Sequence, residues 1–127
     1  GHDGSLSTGH ANSPKDMISR LETMVLMGMD LPLPAIERQI ASGLDIIVHL
    51  GRLRDKSRKV LEVTEVLGYW DGQIHLQTIY RYEEIRKEDE NVTENEKKDQ
   101  ENKVHGEWKK VAELFHREKL VAAGYYI

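Results

Sequence analysis

Two neighbouring segments of β-type sequence, residues 59–68 and 73–82, constrain the fold of this chain more than any other feature. In the second segment, every second residue belongs to one set, Ile74, Leu76, Thr78, Tyr80 and Tyr82, and mainly polar residues lie between them. This alternation is typical of a half-buried antiparallel strand. The Asp71-Gly72 pair between the segments favours a tight turn, because both residue types tolerate turn conformations. The pattern therefore predicts a β-hairpin.

Two helices are predicted before this hairpin. Ser13 offers a hydroxyl N-cap, Pro14 stands at the first helical position and Asp16 at the third, so a helix is expected to begin at Pro14. Its apolar residues recur at helical spacing until about Gly28 and are expected in the core: Met17, Ile18, Leu21, Met24 and Val25. A second helix is predicted after two prolines, from the four-residue spacing of Ile36, Ile40 and Leu44.

The remaining elements complete a mixed architecture. The β-branched run Ile46-Ile47-Val48 predicts a strand that follows the second helix, with a turn at residues 55–57. Near the C-terminus, helical spacing of the larger side chains predicts a last amphipathic helix within residues 107–127, from Trp108, Val111, Leu114, Phe115 and Glu118. Helices packed on a small, mainly antiparallel sheet define an α+β fold.

Charge is concentrated in residues 83–106. Nine acidic and five basic side chains lie between positions 83 and 103, which accounts for the net charge of −4 of the whole chain. Because so few apolar side chains interrupt it, this segment is expected to be a solvated linker or insertion, and an acidic binding tail is the alternative. The predicted organisation is thus a core over residues 1–82, a charged segment over 83–106 and a helix over 107–127.

Composition excludes several classes of protein. A chain of 127 residues is long enough for one domain with a single core. The absence of cysteine excludes disulfides, thiolate metal sites and cysteine nucleophiles. The apolar runs are far shorter than the roughly 20 residues that span a bilayer, and the first residues lack the pattern of a secretory signal. A cytoplasmic protein is expected.

The first 14 residues are rich in glycine, hydroxyl groups and imidazoles, and they directly precede a predicted helix. Such groups suit phosphate binding, because they offer several hydrogen-bond donors near a helix N-terminus; a flexible leader is the alternative. The spacing G-x-x-x-x-G-K-[ST] is absent from the chain, so no phosphate loop is predicted within it. His2 and His10 are too few ligands for a metal ion, and no metal site is expected.

A second candidate surface lies at the turn between the first two predicted strands. Five of its eight residues are basic: Arg52, Arg54, Lys56, Arg58 and Lys59. They could hold a phosphate, a nucleic acid or an acidic protein face. No nucleic-acid role is predicted, because the chain is acidic overall and no aromatic side chain is interleaved for base stacking. A solvated turn is the alternative.

Several motifs, in order along the chain, carry a resemblance to a known family. Residues 4–14 read Gly-Ser-Leu-Ser-Thr-Gly-His-Ala-Asn-Ser-Pro and are followed by Ser19-Arg20-Leu21-Glu22-Thr23-Met24-Val25. Further segments follow at compatible spacing: residues 31–36, 39–42, 45–48, 52–55 and 64–66. From Gly1 to about Tyr82, the chain resembles the histidine box and the region after it in type II and type IV secretion ATPases, particularly CpaF-type ATPases of tight-adherence pili.

Two residues depart from the family pattern. Gly9 stands where a larger residue is frequent, and Lys56 stands where a glycine is common. In this family the phosphate loop and the Walker B strand precede the histidine box. The resemblance therefore implies the C-terminal part of a RecA-like ATPase core, whose upstream region holds ATP and Mg²⁺, so that the present chain alone is not expected to hydrolyse ATP.

The resemblance also implies roles for individual residues. His10, with His2 and Thr8, would contact the terminal phosphate and report its presence, and Arg20 and Glu22 would belong to an exposed or inter-subunit face. The whole protein would be a hexameric motor at the cytoplasmic face of the inner membrane. Its partners would be its own upstream regions, neighbouring subunits and a platform protein for secretion or pilus assembly.

A different class of function is also compatible with the sequence. The chain could be a protein-interaction module that is independent of nucleotide and uses Arg52, Arg54 and Arg58 of the basic turn, together with the acidic segment, as its binding surfaces. Association that is sensitive to charge reversal but not to ATP would identify such a module.

Overall fold

The computed structural model describes residues 4–85 and 103–126, which form a small α+β fold. Two helices, α1 (Pro14–Gly28) and α2 (Leu33–Gly43), come first. Three strands follow: β1 (Ile46–Arg52), β2 (Arg58–Trp70) and β3 (Gln73–Glu84). The described part ends with β4 (Gly106–Lys110) and the short helix α3 (Glu118–Ala122).

The four strands form one antiparallel sheet in the order β1-β2-β3-β4. The turn between β2 and β3 contains Asp71 with φ 51° and Gly72 with φ 74°, as a tight hairpin of right-handed twist requires. α1 and α2 pack against each other, α2 also packs on β2 and β3, and α1 on β1. The α+β class, both leading helices and the three predicted strands are therefore confirmed.

The core is small. Its buried apolar side chains come from both helices, the central strands and the segment that leads into β4: Ile18, Ile36, Val66, Ile79 and Val104. The prediction that Met24 belongs to the core is wrong, because its side chain is 57% exposed, and Met27 and Met29 are exposed as well.

The predicted helix over residues 107–127 is also wrong. Gly106–Lys110 form strand β4 instead, and helix is confined to Glu118–Ala122. The edge of β3 supplies backbone partners for this segment. In addition, the Trp108 indole packs edge-on against Tyr82 and donates a hydrogen bond to the Val60 carbonyl at 2.7 Å. Pairing with a sheet thus outweighs a weak local helical spacing.

Most of the charged segment predicted at residues 83–106 lies outside the described residues. Its first residues complete β3, and Gly106 begins β4. The backbone amide of Ile85 donates to the carbonyl of His105 at 2.7 Å, so both ends of the segment meet at the same end of the sheet. The division of the chain at residues 82 and 106 stays a prediction.

Candidate functional site

The loop before α1 carries two of the predicted phosphate-binding residues. Thr8 and His10 are both exposed, whereas His2 lies outside the described residues. A Cβ added to Gly9, between them, would lie 2.9 Å from Sδ and Cε of Met17. Glycine at this position therefore allows the loop to pass close to α1.

The N-terminus of α1 is capped by its own side chains. The Ser13 hydroxyl accepts a hydrogen bond from the amide of Asp16 at 3.0 Å, which confirms the predicted N-cap. The Asp16 carboxylate in turn accepts from the Asn12 amide at 2.9 Å and from Nε of Arg20 at 3.0 Å. The hydrogen bond from the Asn12 amide is the largest cause that lowers the pKa of Asp16, and Arg20 lowers it further. A carboxylate therefore lies at this helix end, where its negative charge opposes the binding of an anion.

The two residues predicted on an inter-subunit face of α1 have different surroundings. Arg20 is about half exposed and forms an ion pair with Asp16 of its own helix. Glu22 is half-buried where α1 meets α2. Burial is the larger cause that raises the pKa of Glu22, and the negative charge of Glu37 on α2 raises it further. The like charges of Glu22 on α1 and Glu37 on α2 therefore repel each other.

The basic turn is a well-defined structure at the end of the β1–β2 hairpin. Asp55 accepts hydrogen bonds from the amide and the hydroxyl of Ser57, at 2.9 and 2.5 Å, and from the Val104 amide at 2.9 Å. The bonds from the Ser57 hydroxyl and the Val104 amide are the main causes that lower the pKa of Asp55 to about 2. Lys56 has φ 67°, a left-handed conformation that favours glycine.

The structure brings Arg52 and Arg58 together and directs Arg54 elsewhere. Arg52 and Arg58 are direct cross-strand partners, so both side chains lie on the same face of the hairpin, and both residues are exposed. Nε of Arg52 donates to the Lys56 carbonyl at 3.3 Å. Arg54 instead forms an ion pair with Glu84 at the end of β3. The exposed cations Arg52, Lys56 and Arg58 together form the basic tip.

A cleft of about 780 Å³, which sequence analysis did not identify, lies between α2, β2 and the segment before α3. Its wall includes the carboxylate of Glu65, only 1% exposed, which binds the backbone amides of Phe115 and His116. The sequence signal was the single charged side chain of residues 63–70, a glutamate between Thr64 and Val66. Glu65 holds the C-terminal segment against the sheet.

An apolar surface remains exposed on β1, which is an edge strand. Ile46, Val48 and Leu50 lie on one face, with exposures of 42%, 50% and 65%. Ile47 and His49 point to the opposite face and are half-buried. The face of β1 that carries Ile46, Val48 and Leu50 is therefore apolar and uncovered within the described part of the chain.

Neither a metal-binding cluster nor a membrane-spanning helix is found in residues 4–85 and 103–126. No group of three or more histidine, aspartate or glutamate side chains there could hold a metal ion. Over the same residues, no helix combines the length and the apolar character needed to cross a bilayer.

Comparison with known proteins gives a distant likeness. No family model matches the chain. Two curated proteins of Mycobacterium tuberculosis, from strains CDC 1551 and H37Rv, are similar to it, and each bears the name "Putative conjugal transfer protein". Both are 30% identical to the chain over 80 residues, which make up 63% of this chain and 22% of the relative. The chain thus spans about a fifth of the length of these relatives.

Proposed function

We propose that this chain is the C-terminal part of a secretion-system ATPase of the CpaF type, which couples ATP binding and hydrolysis to protein export or pilus assembly. The observation that carries the proposal is the similarity to conjugal transfer proteins over 80 residues, together with the ordered motifs of residues 4–66. Conjugal transfer moves macromolecules out of a cell, so the similarity supports a role in a secretion system.

The form of β1 supports membership in a larger sheet. Its outer edge is unpaired within the described part of the chain, and Ile46, Val48 and Leu50 on one of its faces are uncovered. Helices cover both faces of the sheet in α/β proteins, so such a face is expected to be covered when further elements are added. α2 runs directly into β1, as the crossover helix of a parallel strand–helix–strand unit does. A RecA-like core would supply both a further strand and the cover for Ile46, Val48 and Leu50.

The proposed role of His10 is to sense the terminal phosphate of ATP. Its imidazole and the Thr8 hydroxyl are exposed hydrogen-bond donors on a loop that rests on α1. The upstream region of the protein would hold ATP and Mg²⁺. The Mg²⁺ ion would neutralise the charge that develops on the phosphate oxygens during hydrolysis. Because Gly9 lies close against Met17, a change in the loop when the phosphate leaves would be passed on to α1.

The location and the partners belong to the same proposal. The protein would act as a hexamer at the cytoplasmic face of the inner membrane, where its subunits contact one another and a platform protein. The described residues suit such an assembly, because apolar side chains of α1 and β1, including Met24, Met27 and Leu50, are left uncovered.

The test uses the complete gene product. The native reading frame upstream of Gly1 is expected to encode G-x-x-x-x-G-K-[ST]. In the purified product, His10→Ala should lower ATP turnover roughly tenfold or more, because one hydrogen-bond donor to the reacting phosphate is lost. His105→Ala, at an exposed histidine near β4, is the matched control and should leave turnover unchanged.

Two results would contradict the proposal. Without the upstream motif and without ATP turnover, the chain would be better described as a binding module that acts through its basic turn. Normal turnover in His10→Ala would leave the ATPase standing and remove the sensor role of His10.

A further inference from the structure

The loop that carries His10 is attached to α1 on both sides of that residue. Before it, a Cβ added to Gly9 would lie 2.9 Å from Sδ of Met17, so the loop backbone passes directly over the Met17 side chain. After it, the amide of Asn12 donates a hydrogen bond to the Asp16 carboxylate at 2.9 Å. Asp16 and Met17 are adjacent at the start of α1. Contacts with two neighbouring side chains therefore determine where His10 lies relative to the helix.

The hydrogen bond from Asn12 differs from that of an ordinary helix cap. In a capping box, the side chain of the third helical residue accepts from the amide of the N-cap residue itself. Here the N-cap is Ser13, and the Asp16 carboxylate accepts from the residue before it, Asn12, two positions from His10. Asp16 thus reaches beyond the end of the helix and holds the loop.

Arg20 holds the carboxylate that holds the loop. Its Nε donates a hydrogen bond at 3.0 Å to Oδ2 of Asp16, the same oxygen atom that accepts from the Asn12 amide. The two charged side chains form an ion pair on one helix, four residues apart. The pair orients the carboxylate and offsets its negative charge, which otherwise opposes an anion beside the loop. Arg20 therefore acts on the loop through Asp16.

The ion pair adds little to the stability of the fold by itself. The side chains of Asp16 and Arg20 are 34% and 52% exposed, and exposed pairs of this kind contribute little because water screens them. Ser13 already caps α1, since its hydroxyl accepts from the Asp16 amide at 3.0 Å. What the two charged side chains add is therefore mainly the attachment of the loop.

We propose that Asp16 is a positioning residue for His10, and that Arg20 orients Asp16 for this contact. His10 would meet the terminal phosphate of ATP from the position in which Asp16 and Met17 hold the loop. A displacement of about 1 Å in such a group can cost a large part of the rate, because the reacting groups are no longer aligned. The inference rests on the proposed function, since it concerns the placement of the proposed phosphate sensor.

The test uses the complete gene product. Asp16→Ala should lower kcat for ATP hydrolysis roughly fivefold or more, because the loop is no longer attached at Asn12. The KM for ATP should change less than about twofold, because the upstream region of the protein holds the nucleotide. Arg20→Ala should lower kcat by about twofold to threefold, because the carboxylate remains but is no longer held.

A double-mutant cycle separates positioning from stability. In a His10→Ala background, Asp16→Ala should alter kcat by less than about twofold, because the residue that it positions is already absent. A loss of folded protein would instead lower kcat by the same factor in both backgrounds. Glu113→Ala is the matched control, because Glu113 is also exposed and also pairs with an arginine four residues later, Arg117. Its kcat should be that of the wild type.

A second measurement reports on the loop without ATP. Hydrogen exchange of the backbone amides of residues 8–12, followed by mass spectrometry, should be at least about threefold faster in Asp16→Ala than in the wild type, because the Asn12 amide loses its acceptor. In Glu113→Ala, the exchange of the same segment should be unchanged.

The outcomes distinguish this inference from the proposed function. If Asp16→Ala keeps the wild-type kcat, or lowers it equally with and without His10, Asp16 does not position His10, whereas turnover of the wild type still supports the ATPase. Unchanged exchange in Asp16→Ala would overturn the attachment, and a normal kcat in Arg20→Ala would remove the role of Arg20. A wild-type product that never hydrolyses ATP would refute the proposed function, while faster exchange in Asp16→Ala would still establish that Asp16 holds the loop.

Discussion

The buried carboxylate of Glu65 on β2 accepts hydrogen bonds from the backbone amide of Phe115, 50 residues later in the chain, at 2.7 and 3.0 Å. The next amide, of His116, donates to the same carboxylate at 3.3 Å, and the His116 ring bonds to the Leu67 carbonyl at 2.7 Å. The Phe115 side chain itself is 68% exposed. Glu65, rather than the aromatic ring, therefore attaches the C-terminal segment to the sheet.

Replacing Glu65 should release that segment. Glu65→Ala is expected to lower the free energy of unfolding by roughly 1–3 kcal/mol, because hydrogen bonds to a charged acceptor are lost. Glu65→Gln keeps one acceptor oxygen and should lose less. Chemical denaturation measures the stability, and hydrogen exchange at the Phe115 and His116 amides shows whether the segment detaches. Glu118→Gln, at an exposed site on α3, is the control and should change neither the stability nor the exchange of these amides. If the two amides stay protected in Glu65→Ala, other contacts hold the segment.

Asp55 should make stability dependent on pH in the acid range. Its carboxylate is stabilised in the folded state, where its pKa is about 2, relative to the ordinary 3.8 of an unfolded chain. The stabilisation is therefore complete above about pH 4 and is lost as the pH falls towards 2. The measurement is the denaturation midpoint as a function of pH, and Asp55→Asn should remove its fall between pH 4 and 2. Asp30→Asn, at an exposed site outside the turn, is the control and should show the same fall as the wild type. Identical profiles for the wild type and Asp55→Asn would show that the turn contributes nothing to acid stability.

Lys56 stands in a conformation that glycine adopts at no steric cost. At φ 67°, the backbone of a residue that carries a Cβ is strained, and glycine removes this strain. The unfolded state of a glycine variant has more conformational entropy, which offsets part of the gain in stability. Lys56→Gly should therefore raise the free energy of unfolding by about 0.5–1 kcal/mol in thermal or chemical denaturation. Lys59→Gly removes the same charge within β2 and should be destabilising instead. A loss of stability in Lys56→Gly would mean that the lysine side chain itself supports the turn.

Gly106 allows β4 to approach β3. A Cβ at this position would meet the Tyr82 ring and lie 2.5 Å from the Glu83 carbonyl oxygen, which is backbone and cannot move aside cheaply. Gly106→Ala should cost about 1–3 kcal/mol of stability and weaken the pairing of β4. Gly43→Ala, where nothing lies within 4 Å, is the control and should be neutral or stabilising. Equal stability of the two variants would indicate that β4 shifts without penalty.

Features set by neighbours in the chain could be predicted from the sequence. α1 begins at Pro14 because Ser13 and Asp16 cap it within one turn, and the Asp71-Gly72 turn joins two strands whose alternation sets their faces. Some features of the candidate site also follow from the local sequence, and others do not. Exposure of His10 and the basic character of residues 52–59 follow from local sequence, whereas the opposition of Arg52 to Arg58 follows from strand register.

The sequence by itself thus determined the α+β class, the leading helices and the first three strands, because capping, turn chemistry and periodicity act over a few residues. Only the tertiary structure decided that Gly106–Lys110 form a strand, that Glu65 is buried, and that Arg54 pairs with Glu84. Each of these depends on groups about 20 to 50 residues apart in the chain. Local propensity is worth only a fraction of a kcal/mol per residue, so the hydrogen bonds and packing available on the folded sheet decide the outcome.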